Sequence, residues 1–106
     1  MILEVAVLNV KKDQTEAFES AFARARAIIG SMEGCLGYQL QRCVENENRY
    51  LLLVQWRRLE DHTEGFRASP QYLEWKGLLH HFYEPFPTVE HYEPVMGGAL
   101  GAPGAG

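Results

Sequence analysis

A chain of 106 residues with a formal net charge of −4 and 46% hydrophobic residues is sized for one domain with one core, because a chain this long buries roughly two-thirds of its unfolded surface. Its lysines and arginines form no cluster, so the footprint that neutralises a phosphate backbone is missing and nucleic acid is not expected as a partner. The opening MILEVAVLNV carries Glu4 and lacks a basic leader, and no apolar run reaches membrane-spanning length; a soluble, cytoplasmic protein with no membrane partner is expected.

Residues 2–10 are rich in Val, Leu and Ile without turn residues, which predicts a strand buried on both faces. Asp13 and Glu16 read as a capping box for an amphipathic helix. Its apolar set Phe18, Ala21, Phe22, Ala25, Ile28, Ile29 and Met32 recurs at helical spacing and ends near Gly30 to Gly34. From Cys35 to Val44 the pattern alternates, with Leu36, Tyr38 and Leu40 on one face and Gly37, Gln39 and Gln41 on the other. Cys35 and Cys43 on this one strand would lie roughly 26 Å apart at about 3.3 Å per residue, out of disulfide reach, which suits two thiols in a reducing compartment. After the turn ENEN, Tyr50 to Trp56 predicts a third strand, paired to the second as an antiparallel hairpin.

RRLEDHTEGFRA reads as a short helix interrupted at Gly65. Ser69 and Pro70 then supply an N-cap and an N1 proline for a second helical segment to about His81. EPFP forces an extended path, and Phe86 is expected to cross to a partner copy. Thr88 to Tyr92 alternates as a short last strand, and MGGALGAPGAG is a low-complexity tail. The expected layout is one domain over residues 1–95, with residues 96–106 as the tail.

The order β-α-β-β-α-β is the ferredoxin-like α+β arrangement: a four-stranded antiparallel sheet with both helices on one face. The first and third strands are apolar at both parities, so the other face would leave an apolar patch in water. A homodimer whose two sheets pack face to face into a dimeric α+β barrel covers it most economically.

Trp56 closing the third strand, LEDH after it, then GFRASPQY and a later aromatic strand resemble the antibiotic biosynthesis monooxygenase family of the dimeric α+β barrel superfamily, which also holds heme-degrading monooxygenases and quinol-related enzymes. The resemblance covers residues 1 to about 95. It implies oxidation of an electron-rich aromatic, such as a phenol or quinol, by O₂ with no cofactor, the substrate anion supplying the electrons. The heme-degrading branch uses an Asn near the end of the first strand, a Trp on the second helical region and a His one turn beyond an aromatic. Asn9 matches the first, but Phe66 and Lys76 stand at the other two positions and His80 lies a turn further on, so heme is the disfavoured alternative.

Within that resemblance, Asn9 is expected to donate to the substrate oxygen, His62 or His80 to act as base, and Arg67 to anchor an anionic substrate. Phe66, Tyr72, Trp75 and Tyr83 would form the walls. Each has a plainer reading: Asn9 as a turn residue, His62 and Arg67 as solvated surface, and Tyr72, Trp75 and Leu79 as a core face at helical spacing. His80 and His81 point about 100° apart, so at most one faces a given pocket. No nucleophile elbow, phosphate loop or H-E-x-x-H appears, and no metal site is expected. A non-catalytic dimer that holds a small flat ligand is the second functional class.

Overall fold

The computed structural model describes residues 1–100. Four strands, β1 (Ile2–Asn9), β2 (Cys35–Arg42), β3 (Arg49–Trp56) and β4 (Val89–Tyr92), form one antiparallel sheet in the order β2-β3-β1-β4. Helices α1 (Thr15–Gly30) and α2 (Pro70–Leu79) complete the expected ferredoxin-like arrangement. The last residues of the expected tail, 101–106, lie outside the described part.

The strand period of two divides the sheet cleanly. Even positions of β1 and β3, namely Ala6, Leu8, Tyr50, Leu52, Val54 and Trp56, are buried beneath the helices. Odd positions face the other way: Leu3, Val5, Leu51 and Leu53 are only half-covered, and Val7 is exposed. From α1, Phe18, Ala21, Phe22, Ala25 and Ile29 enter the core. Phe18 is its centre, with ring centroids 4.9 Å from Tyr50 and 5.7 Å from Phe82. Trp75 and Leu79 of α2 are buried as their spacing predicts.

Three local expectations are corrected. Asp13 caps nothing: it sits at φ 63, in a left-handed turn, and α1 starts two residues later without a side-chain cap. A bulge at the start of β2 shifts the register between Cys35 and Gly37, so Leu36 is thrown outward and exposed while Tyr38 and Leu40 keep the helix-facing side. The second helical segment divides at Leu79, and His80–Phe82 continue as a single 3₁₀ turn. The Ser69 cap holds as expected, its oxygen accepting from the Tyr72 N–H at 3.2 Å. Both cysteines are free. Among the described residues no helix is long and apolar enough to cross a membrane.

Candidate functional site

Between β3 and α2 the chain makes a π-helical turn, Asp61–Phe66, a shape that recurs at functional sites because it re-aims side chains. Asp61 pins it. The carboxylate is buried, accepts from the Arg58 N–H at 3.2 Å, and lies 3.5 Å from Arg57 Nε and 3.4 Å from Arg58 Nη2. Gly34, at φ 87, passes so close that a Cβ would collide with this carboxylate. At the far end, Ser69 Oγ donates to the Phe66 carbonyl at 2.6 Å and so joins the turn to α2.

The turn carries His62 inward rather than to the surface. Its ring is 3% exposed and stacks on Trp56 at 5.3 Å and 13°. Nε2 lies 3.3 Å from Glu4 Oε1, and Nδ1 lies 2.7 Å from Nε2 of His91. Trp56 Nε1 donates to the same Glu4 oxygen at 2.9 Å. Glu4 and His91 are cross-strand neighbours on β1 and β4, which is why the three side chains meet. Glu4 Oε2 makes no hydrogen bond to the described protein, yet among the described residues no buried side-chain oxygen or nitrogen lacks a partner. That oxygen therefore opens into free space.

The space is a cavity of about 260 Å³ between sheet and helices. Glu4, Ala6 and Leu52 line it from the sheet, His62 from the π-helical turn, and Phe66, Tyr72, Trp75, Tyr83 and Phe86 supply rings. Arg67, exposed to solvent, and His80, in edge-to-face contact with Tyr72 and Phe86, complete the lining. Burial raises the pKa of Glu4, an effect that the Trp56 hydrogen bond and the Arg67 charge partly offset. Burial, with Arg67 and His91 nearby, pushes His62 down to about 3, so its imidazole is neutral at ordinary pH. His80 is lowered too, by burial and by Lys76. A larger groove of about 490 Å³ beside α1 and β2 is shallower in chemistry, since its polar groups are already paired: Tyr50 with Glu19, Arg42 with Glu19, Arg26 with Tyr38.

Of the residues singled out in the sequence, His62, His80, Phe66, Arg67, Tyr72, Trp75 and Tyr83 all line the one cavity. Asn9 does not. Its odd parity on β1 turns the side chain to the helix-free face, where Oδ1 accepts from Arg49 Nε at 3.4 Å. Phe86 lines the cavity of its own chain and packs on His80 at 5.0 Å, while most of its surface stays exposed. Glu4 and His91 were missed. The available signals were a lone carboxylate in an otherwise apolar strand, at the parity of Ala6 and Leu8, and a His at the inward parity of VEHY.

Comparison with known proteins agrees with this fold. The family model for antibiotic biosynthesis monooxygenase matches residues 1–78. The chain belongs to the antibiotic biosynthesis monooxygenase family. It is 53% identical over 95 residues, covering 90% of this chain and all of the relative, to the uncharacterised protein YczJ of Bacillus subtilis (strain 168). A solved Bordetella bronchiseptica protein named for the same family superposes with a TM-score of 0.85 at 33% identity, over 90% of this chain and 97% of that one. SnoaB, a cofactor-independent oxygenase from Streptomyces nogalater, shares the fold at a TM-score of 0.70 and 23% identity, over 93% of this chain and 95% of its own.

Proposed function

We propose that the protein is a cofactor-independent monooxygenase that oxidises a small electron-rich hydroxyarene with O₂, and that Glu4 is the base that ionises it. The observation that carries this reading is the Glu4 carboxylate on the floor of a ring-walled cavity, one oxygen held by Trp56 and His62 and the other open to a ligand. Burial makes it a stronger base than a carboxylate in water.

The ligand hydroxyl gives its proton to Glu4 Oε2. The resulting oxyanion pushes electron density onto a ring carbon, which transfers it to O₂ and forms a C–O bond. The peroxide takes the proton back from Glu4 as the hydroperoxide. Loss of the ring C–H proton and cleavage of the O–O bond then leave a quinone carbonyl and water, so one hydroxyarene and one O₂ give one quinone and one water. Arg67 stabilises the anion at the mouth, and the rings hold the substrate flat and keep water away. His80 is a second polar group on the opposite wall.

A cavity of about 260 Å³ lies below the roughly 300–1,000 Å³ of drug-sized sites, whereas an apolar cavity of about 150 Å³ takes a benzene ring. This suits a ligand of one or two rings. The proposal includes a homodimer, because Leu3, Val5, Val7, Leu51 and Leu53 share the helix-free face of the sheet and a second copy covers them with the same surface.

Oxygen uptake with a panel of one- and two-ring hydroxyarenes tests the reading. Consumption of one O₂ per quinone supports it. Tight binding of several such ligands with no uptake of oxygen points instead to a ligand-holding protein.

A further inference from the structure

The base proposed above has one oxygen committed to two neighbours, and this commitment fixes more of the site than Glu4 alone. Trp56 Nε1–H is a donor only, so Glu4 Oε1 accepts from it at 2.9 Å. His62 Nε2 lies 3.3 Å from the same oxygen. When Glu4 is ionised, a hydrogen bond between these atoms needs its proton on His62 Nε2. A neutral imidazole carries one ring proton, so Nδ1 must then be an acceptor, and among the described residues only His91 Nε2, at 2.7 Å, stands in position to donate to it.

We infer that His91 is a positioning residue: its Nε2–H holds His62 in the tautomer whose proton points at Glu4, and so keeps the base ionised with Oε2 free for substrate. His91 can adapt to this task because it is half-exposed on the short strand β4 and no described protein group bonds to its Nδ1. His62 cannot adapt. It is sealed between the stacked Trp56 ring and Phe66, with its two nitrogens facing Glu4 and His91. Each group is bonded to the next, and among the described residues no three His, Cys, Asp or Glu side chains are placed to hold a metal ion. Arg67 is the nearby cation that acts on all three titratable members of the chain of bonds.

The inference rests on Glu4 acting as the base, and its test separates the two. In nitrogen NMR of isotope-labelled protein, His62 is expected to carry its proton on Nε2. His91→Glu presents an acceptor only and should move that proton to Nδ1, turning a lone pair toward Glu4 and forcing the carboxylate to protonate. Turnover of a hydroxyarene should then fall roughly 100-fold or more, as a wrongly fixed tautomer does in a catalytic triad. His91→Gln keeps a donor and should retain most of the rate and the wild-type tautomer. A His62 protonated on Nδ1 in the wild type overturns the inference, as does an unchanged tautomer in His91→Glu. If the tautomer behaves as expected in a protein that consumes no oxygen, the assignment of His91 stands and the oxygenase reading falls. Should His91→Glu not fold, the wild-type spectrum still decides.

Discussion

Replacing Trp56 by Phe keeps a ring against His62 but removes the N–H that Glu4 accepts at 2.9 Å. A hydrogen bond to a charged group contributes about 1.5–3 kcal/mol, and at about 1.4 kcal/mol per pKa unit its loss should raise the already elevated Glu4 pKa by about one to two units. Two readouts follow. The acid limb of kcat/KM against pH should move up by that amount, because the base is ionised only at higher pH. Stability should show the same group with a defined sign. The folded-state pKa of Glu4 lies above its unfolded value of 4.5, so the folded protein holds the proton more tightly. Stability therefore falls as pH rises from 4.5 through the folded pKa. Trp56→Phe steepens that fall, so its deficit against wild type is largest at neutral pH and narrows in acid, leaving only the packing loss from a smaller ring. Urea unfolding across the pH range measures this. A deficit that is the same at every pH, with an unmoved acid limb, refutes the coupling between Trp56 and Glu4.

Three further outcomes are expected. Leu53→Asp puts a charge on the helix-free sheet face and should yield monomers in sedimentation velocity at concentrations where the wild type is dimeric; a monomeric wild type removes the barrel from the account. Gly34→Ala must relieve both a positive φ and a collision with Asp61, so thermal unfolding should show a loss of about 2 kcal/mol or more together with weakened ligand binding, because the turn that presents His62 is displaced. His62 has a folded pKa of about 3 against 6.5, so the unfolded chain takes a proton that the folded chain refuses. Stability should drop as pH falls from about 6.5 toward about 3, on the order of 4 kcal/mol, and unfolding titrations of His62→Gln should lack that drop.

The sheet was legible because apolar strands and a strong hairpin leave few alternatives, and the cavity walls were legible because Phe66, Tyr72, Trp75 and Tyr83 are too many rings for one thin layer of core. Boundaries set by single residues were not. Asp13 looked like a cap by type, but the chain adopts a left-handed turn there, and nothing in the composition of β2 announces the bulge that throws Leu36 outward. Asn9 failed on parity: the residue type suited an oxyanion donor, but strand alternation sends it to the face opposite Glu4, Ala6 and Leu8. Glu4 was hidden by its surroundings, since a carboxylate in an apolar strand reads as an edge charge until Trp56 and His62 are seen to meet it. That meeting joins β1, β3, the π-helical turn and β4, a long-range coincidence no local pattern contains.

Whether Glu4 takes the proton from a neutral hydroxyarene is decided by one comparison in the Glu4→Gln protein. Gln keeps the shape and an acceptor for Trp56 and His62 but is no base. Oxygen uptake is measured with two ring-matched substrates, one neutral and one already ionised at the assay pH. The variant should lose roughly 100-fold or more of its turnover on the neutral substrate while retaining most of it on the ionised one. Equal losses on both, or none on either, would contradict the assignment of Glu4 as the base.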